Sequence, residues 1–396
     1  MIQFKIAIRN LIRHKRRTSL TALLIVMGVV LVLLFTGFSK SFKQLIIGQI
    51  TDSMIGHLQI HKKGYVSSID NLPLTMNLMD KQVEKIESIL TGYPEIEAVS
   101  HRIKLGGMLS NFEETTNIRL NAIFPEKEIL TCPGLSDRLL TKGAKFQIQP
   151  GEIIIPKNLA RGMQLKEEST VVIVANNKDG SVNGMTFKVV GILDDLMGPG
   201  GRDGFMHYED ALDLLRMDNR EVGEIIIKLH DFKTLESVQE RLSTEISTLL
   251  NQKNQPVYEL HDWAQLSPFS TIADMVDLLV ITVKIVLISI VLISILNVMI
   301  MAVYERVSEI GTLMAMGTRP RKILNMFLME GFLLGLVSTI AGIILSTGIM
   351  FVLRTQQIQF SFGRMKNLSL EPTVSIEEIL MVAFTVIGIS LLAALQ

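Results

Sequence analysis

The chain has 396 residues, of which 48% are hydrophobic and only 20% are charged, and its mean hydropathy is +0.37. This is more apolar surface than a soluble protein of two or three domains can easily bury, so the composition argues against an ordinary soluble protein. The 39 Lys and Arg cancel the 39 Asp and Glu overall, and a single cysteine, Cys132, excludes an intrachain disulfide.

The chain begins with a basic segment. No acid precedes Asp52, whereas the first 19 residues hold six cations: Lys5, Arg9, Arg13, Lys15, Arg16 and Arg17. This bias indicates the cytoplasmic side of a membrane and predicts no nucleic-acid partner. Apolar residues at positions 4, 8, 11 and 12 share a helical face, so residues 1–19 predict an amphipathic helix whose cations meet the membrane-surface headgroups. A simple orientation signal is the other interpretation.

Four apolar stretches, residues 20–45, 272–304, 326–353 and 379–396, predict transmembrane helices. The first is too long for a signal peptide and no clear cleavage site follows it, so it predicts an uncleaved span with its N-terminus inside. The loop 305–325 carries four cations against two acids, whereas the outer loop 354–378 carries three of each. We therefore predict a multi-pass inner-membrane protein with both termini in the cytoplasm.

The second span is unusually long. Its 33 residues would measure ~50 Å as one helix, against a hydrocarbon core of ~30 Å, so it should project beyond the outer surface. Lys284 lies 20 residues before Tyr304, a spacing that predicts an interfacial position reached by snorkelling. The alternative is a buried charge that lines a substrate path.

The segment 46–271 predicts a folded extracytoplasmic (periplasmic) domain. Strands at 54–61 and 96–103 flank a helix at 78–90, and strands at 224–229 and 257–260 flank a helix at 235–250. Two β-α-β units from opposite ends can form one α+β domain, with a β-rich subdomain inserted at about 126–222. The predicted fold class is an α-helical membrane protein with four transmembrane helices and a large α+β extracytoplasmic domain between the first and second.

Catalytic and metal-binding patterns are missing from the sequence. It contains no GxxxxGK[ST], HExxH or GxSxG pattern, and Cys132 has no candidate base nearby. His57 and His61 lie four apart on a predicted strand, a separation of ~13 Å that does not suit one metal ion. We predict no catalytic residue, no metal site and no cofactor bound by this chain.

The strongest local signal is the segment Glu305–Gly317, directly after the second span. Two acids capping a wet loop would explain Glu305 and Glu309. They do not explain an apolar patch in a short cytoplasmic loop, formed by Ile310, Leu313, Met314 and Met316. Apolar groups rimmed by charge indicate a surface for a protein partner.

This segment resembles the ER-x-x-EIG-x-x-x-A-x-G motif of FtsX-like permeases, the membrane subunits of macrolide-exporter and lipoprotein-releasing ABC transporters. The start, Ala7–Arg17, is similar to that family's A-x-RN-x-x-R-x-x-x-R pattern. Two departures stand out. Met314 occupies a position where many members carry Arg or Lys, and the chain ends at Gln396, where the family continues into a basic tail, so either the tail is absent or the sequence is truncated.

The resemblance implies a dimer of permeases, as a homodimer or a related heterodimer, with two copies of a separate ABC ATPase that holds ATP and Mg. The lack of a Walker motif in this chain agrees with a separate ATPase. The loop after span two would be a coupling helix seated in a groove of that ATPase, and the long second helix would carry its motion outward. The implied contacts are Glu305, Arg306, Glu309, Ile310, Gly311, Leu313 and Gly317.

Three functions remain open. The first is the release of lipoproteins or other lipidated cargo to a periplasmic carrier, which the lack of a fused ATPase domain favours. The second is efflux of a small molecule or peptide through an outer-membrane duct. The third is a signalling permease that transports nothing and activates a cell-wall hydrolase.

Overall fold

A computed structural model describes residues 9, 13, 15–140, 146–194, 202–266, 269–305, 307–356, 359–362, 365–369 and 372–395. The chain forms two compact units. One unit combines Met1–Leu45 with Thr271–Gln396 and is helical, and the other is Ile46–Ser270 and is built on a β-sheet.

Four long helices lie in the described residues of the helical unit. These are α1 (Lys15–Ile50), α8 (Phe269–Glu305), α10 (Pro320–Thr355) and α11 (Ile376–Leu395). Pro320 occupies the first turn of α10, where its missing N–H costs no helical hydrogen bond. At α11, the backbone N–H of Ser375 donates to the Glu378 carboxylate at 2.8 Å, and that of Glu378 donates to the Ser375 hydroxyl at 3.4 Å, which is a capping box.

Three helices in the described part of the chain are long and apolar enough to cross a membrane, by length and composition: Thr18–Ile55, Asp274–Asn297 and Pro320–Thr355. They coincide with the first three predicted spans. The fourth predicted span lies in α11, which is helical over 20 residues, and its crossing of the membrane stays a prediction. The predicted outer loop contains an antiparallel hairpin of β12 (Gln359–Phe362) and β13 (Met365–Ser369), which the sequence analysis missed.

Glycines let the long helices approach closely. A Cβ atom added to Gly28 of α1 would lie 2.2 Å from Val291 of α8, and one added to Gly342 of α10 would lie 2.7 Å from Val29. Lipid supplies no hydrophobic driving force between helices, so small residues at such contacts stabilise helix association by allowing close van der Waals packing. The buried core of this unit includes Ile25, Val29, Leu33, Val291, Ile295, Leu334 and Val386.

The second unit is built on one nine-stranded sheet of order β11-β1-β10-β3-β4-β8-β5-β7-β6, and β6 also pairs with β3. The first four strands in this order are β11 (Tyr258–Asp262), β1 (Leu58–Lys62), β10 (Glu224–Leu229) and β3 (Ile96–Ser110). They come from the two predicted β-α-β units, whose assembly into one α+β domain is confirmed. The strand predicted from Met54 begins only at Leu58, because Thr51–Ile55 form a π-helical turn that continues α1.

Residues 126–222 contribute strands to this same sheet instead of forming a sheet of their own. Four strands come from this segment: β5 (Glu152–Pro156), β6 (Thr170–Asn176), β7 (Val182–Leu193) and β8 (Asp203–His207). The ninth strand of the sheet, β4 (Thr115–Ile123), precedes it. The pairs β4–β8 and β5–β7 are parallel, and the other pairs are antiparallel. A short ladder of β2 (Leu78–Met79) and β9 (Glu221–Val222) lies beside it.

The helices of this unit cover the sheet with the apolar faces that the sequence predicts. Helix α2 (Asp80–Leu90) buries Val83 and Ile86, and α6 (Leu235–Ser247) buries Val238, Leu242 and Ile246. Shorter helices are α3 (Pro125–Thr131), α4 (Lys157–Gly162), α5 (Tyr208–Leu215) and α7 (Trp263–Leu266).

Candidate functional site

A short helix, α9 (Val307–Ala315), follows α8 at the predicted coupling segment. Its face at spacing i, i+3, i+7 consists of Val307, Ile310 and Met314. Val307 is 54% exposed, Met314 is 50% exposed, Met316 just beyond the helix is 70% exposed, and Ile310 is half-buried. This segment therefore presents an apolar surface, and we call these four residues the α9 surface.

Gly317 ends α9 for a conformational reason. Its φ of +83° is a left-handed conformation that favours glycine, and its backbone N–H donates to the Met314 carbonyl at 3.0 Å. A Cβ atom at Gly311 or at Gly317 would meet no atom within 4 Å. Both glycines therefore leave open space beside the backbone in this chain alone.

The predicted coupling residues all fall on this one segment. Glu305, the last residue of α8, is exposed, and so is Gly311. Arg306 lies outside the described residues, and so do the side chains of Glu309 and Leu313, whose backbones are helical. The sequence analysis missed Val307, although its spacing of three from Ile310 and seven from Met314 was available as a signal.

The predicted membrane-surface cations lie before or at the start of α1. Arg9, Arg13 and Arg16 are helical and exposed. Lys5 lies outside the described residues, and so does the side chain of Arg17. The four-residue spacing of Arg9 and Arg13 places them on one helical face.

A buried ion pair ties the π-helical turn at Thr51–Ile55 to the core of the β-sheet unit. The Arg102 guanidinium on β3 donates through Nε to Glu128 Oε1 of α3 at 2.9 Å, and a second nitrogen donates to the carbonyl of Met54. The Ser100 hydroxyl donates to the other Glu128 oxygen at 2.7 Å. Burial lowers the pKa of Arg102, but the Glu128 carboxylate outweighs it and leaves the pKa above the usual range.

A second arginine holds the same turn from another side. Arg138 Nε donates to the Ser53 hydroxyl at 2.9 Å, and another guanidinium nitrogen donates to Gln49 Oε1 at 2.8 Å. Gly56 ends the turn with φ +66°, and its N–H donates to the Thr51 carbonyl at 2.9 Å. We call residues Gln49–Gly56 with Arg102 and Arg138 the α1 joint. Sequence reasoning missed this joint because its partners lie 26 to 89 residues apart.

Another buried charged group lies across β1, β3 and β10. The Lys104 ammonium is 2.7 Å from Glu224 Oε1, and His61 Nε2 is 3.8 Å from the same oxygen. Tyr65 stacks on His61 with ring centroids 5.1 Å apart. Burial raises the pKa of Glu224, but Lys104 and His61 outweigh it and hold that pKa well below its usual value.

The buried cysteine and histidine of the β-sheet unit take part in structural contacts. Burial raises the pKa of the Cys132 thiol to about 12, so the thiol is protonated and unreactive at neutral pH. The His57 Nδ1 accepts a hydrogen bond from the Leu229 N–H at 3.0 Å, and burial lowers the pKa of His57 to about 4. Within the described ranges, no group of three or more His, Cys, Asp or Glu is placed to hold a metal ion.

Two features define a permease-type membrane subunit. An α+β unit built on a sheet is inserted between the first two long apolar helices, and a short helix with an exposed apolar surface follows the second. Comparison with known families matches residues 18–245 to the MacB-like periplasmic core domain and residues 281–396 to the FtsX-like permease C-terminal domain. The chain therefore belongs to the FtsX-like permeases of the MacB and LolC type, which confirms the resemblance found in its motifs. Permeases of this family are inner-membrane proteins.

Individual relatives share low identity over most of the chain. It is 24% identical over 370 residues to the macrolide export ATP-binding/permease protein MacB of Hahella chejuensis, covering 91% of this chain and 54% of that protein. It is 22% identical to the lipoprotein-releasing system transmembrane protein LolC of Neisseria meningitidis, covering 82% of this chain and 72% of that one. The chain thus spans about half the length of the MacB relatives it matches.

The chain is also similar to a solved structure, the periplasmic region of MacB from Actinobacillus actinomycetemcomitans. The match covers 56% of the present chain and 94% of the chain in that structure, at 14% identity and a TM-score of 0.39.

Proposed function

We propose that this chain is the permease subunit of an ATP-driven transporter that works by transmitting mechanical motion, and that the α9 surface is its contact with a separate ABC ATPase. The observation that carries the proposal is the exposed apolar character of Val307, Met314 and Met316 in a segment between two long apolar helices. Lipid does not cover a segment outside the bilayer, and water disfavours such a patch, so a protein groove is its natural complement.

The chain's own geometry offers a route for motion. Helix α8 has 37 residues, about 55 Å, which exceeds a hydrocarbon core of about 30 Å. Displacement of α9 by closure of two ATPase subunits would move α8 as a rigid rod. ATP and Mg belong to the partner ATPase in this proposal, and the permease works as a dimer with a second copy or a related chain.

The experiment that tests this proposal places a charge on the α9 surface. Met316→Asp should weaken binding of the partner ATPase about tenfold or more, because burying an unpaired carboxylate in an apolar groove costs more than about 1.4 kcal/mol. The measurement is co-purification of the full chain with its ATPase, followed by ATP hydrolysis in proteoliposomes.

Met108→Asp is the matched control. Met108 lies on β3 of the other unit and is 48% exposed, so the same change there should leave ATPase binding unchanged. Equal co-purification of Met316→Asp and Met108→Asp would remove the α9 surface from the proposal. Glu309→Lys combined with Gly317→Trp extends the test to the coupling residues expected from the motif.

For the cargo, we propose lipidated proteins released from the outer leaflet to a soluble periplasmic carrier. The proposal is supported by similarity to LolC, whose name describes a lipoprotein-releasing system and of which the chain covers 72%. Efflux of a small molecule through an outer-membrane duct is the second candidate, favoured by the match to a macrolide exporter over 91% of this chain.

One crosslinking experiment separates these candidates. A photoreactive residue replaces Leu31 of α1, which is 48% exposed, in the full chain in cells. Recovery of acylated protein would support lipoprotein release, and recovery of a small amphiphile would support efflux. A soluble hydrolase bound to the β-sheet unit, with neither cargo recovered, would support the signalling function instead.

A further inference from the structure

The helical unit contains a cavity of about 220 Å³ between α1, α8 and α11. Its wall is mainly apolar and includes Val32, Ile288, Val291, Val382, Val386 and Ile389. From Glu378 to Ile389 the cavity follows α11 for about 16 Å at the helical rise of 1.5 Å per residue. Gly28 lines the cavity at a close contact of α1 with α8, since a Cβ there would lie 2.2 Å from Val291.

The hydroxyl groups in the wall are already satisfied. The Thr36 hydroxyl donates to the Val32 carbonyl at 2.8 Å, and the Thr385 hydroxyl donates to the Met381 carbonyl at 2.8 Å. Each threonine therefore donates its single O–H to its own helix and offers no donor to a ligand. The interior of the cavity suits hydrocarbon, and it does not suit a polar substrate.

Two charged residues line one end of the cavity, Lys284 and Glu378. Lys40 pairs with Glu378 at 3.5 Å, and Glu378 also accepts from the backbone N–H of Ser375. Lys284 lines the same end, yet among the described residues no carboxylate oxygen lies within 4.0 Å of its ammonium. Because Lys40 already pairs with Glu378, the Lys284 ammonium is left without a close counter-ion among the described residues, beside an apolar chamber.

We propose that this cavity holds one acyl chain of an anionic membrane lipid whose headgroup pairs with Lys284. An apolar chamber of 150 Å³ accepts a six-carbon ring, so 220 Å³ accommodates roughly nine carbons of a chain. An empty chamber would forfeit the dispersion contacts of its lining, and in a bilayer the available filler is hydrocarbon. Met381, which lines the cavity and is 65% exposed, marks a side from which a chain enters.

The anionic headgroup follows from the position of Lys284, since a phosphate or carboxylate would give its ammonium a counter-ion and accept a charge-assisted hydrogen bond from it. Membrane phospholipid and free fatty acid share this chemistry. The site goes beyond the proposed transport function and does not rest on it, because a resident lipid would occupy it even in a permease that moves no cargo.

The test is native mass spectrometry of the full chain reconstituted in vesicles of equal parts phosphatidylglycerol and phosphatidylcholine. The wild type should retain one phosphatidylglycerol per chain in preference to phosphatidylcholine. Lys284→Gln should lower that retention about tenfold, equivalent to about 1.4 kcal/mol. The matched control is Lys322→Gln, an exposed lysine at the start of α10 and outside the cavity, which should retain lipid like the wild type.

A second pair of variants tests the chamber itself. Val386→Trp fills it and should abolish retention of both lipids, whereas Ile344→Trp on the exposed face of α10 should not. If the Val386→Trp protein no longer elutes as a single monodisperse species, the lipid retention of Lys284→Gln decides the test. Lys284 is only half-buried, so its substitution disturbs the packing less.

The mass of the lipid that stays bound to protein purified from cells identifies that lipid. Either a phospholipid or a fatty acid supports the site. Equal retention of the two phospholipids, equal behaviour of Lys284→Gln and Lys322→Gln, or an acylated protein in the cavity would overturn the proposal.

Discussion

The buried ion pair of the α1 joint gives the sharpest prediction about stability. Arg102 is 2% exposed and Glu128 is fully buried, and the pair ties β3 to α3 and to the Met54 carbonyl. Arg102→Met approximates the apolar stem of the side chain but removes the guanidinium, and so leaves a carboxylate and a carbonyl without their charged donor. Removing one member of a buried pair costs about 3–5 kcal/mol, since the remaining charge stays desolvated.

This loss can be measured in the full chain, because Trp263 is its only tryptophan, lies in the β-sheet unit and is 9% exposed. At about 2–4 °C per kcal/mol for a unit of this size, the fluorescence midpoint of thermal unfolding should fall by roughly 6–20 °C. Arg102→Met with Glu128→Leu should recover most of the loss, because no buried charge then remains unpaired.

The surface change Arg161→Met is the control and should stay within about 0.5 kcal/mol of the wild type. A shift for Arg102→Met no larger than that of Arg161→Met would refute the reasoning. So would a double variant less stable than the single one.

Three further predictions concern the same unit. Gly56→Ala should destabilise it by more than about 2 kcal/mol in chemical denaturation, because φ is +66° and the new Cβ would lie 2.4 Å from Ile226; a change under about 1 kcal/mol would contradict this. Cys132, with its pKa raised to about 12, should resist maleimide at pH 7 until the protein is denatured, and rapid labelling of native protein would show an accessible thiolate. Burial lowers the pKa of His57 to about 4 and of His101 to about 3, so the unfolded chain binds more protons below pH 6.5. Stability should therefore be full above pH 6.5 and fall by about 2 kcal/mol per histidine by pH 5, and His57→Gln should reduce that slope.

The sequence determined those features that depend on local spacing. A run of apolar residues long enough for a bilayer is visible in one dimension, so the three long apolar helices can be located from the order of residues alone. Strands Glu152–Pro156 and Glu224–Leu229 begin and end where the alternation and the flanking residues indicate. The segment that we propose contacts the ATPase could be found because Gly317 and the apolar residues before it lie within one short stretch.

Only the tertiary structure decided which distant residues meet. Parallel pairing of β4 with β8 and the contact of Lys104 with Glu224 join residues about a hundred positions apart, and periodicity carries no information on partners at that separation. The local pattern did not predict the π-helical turn at Thr51–Ile55, because hydrogen bonds from Arg102 and Arg138, which lie on other elements, hold that turn. The cavity beside Lys284 likewise exists only where three helices leave space between them, since its volume is a property of packing and not of any one segment.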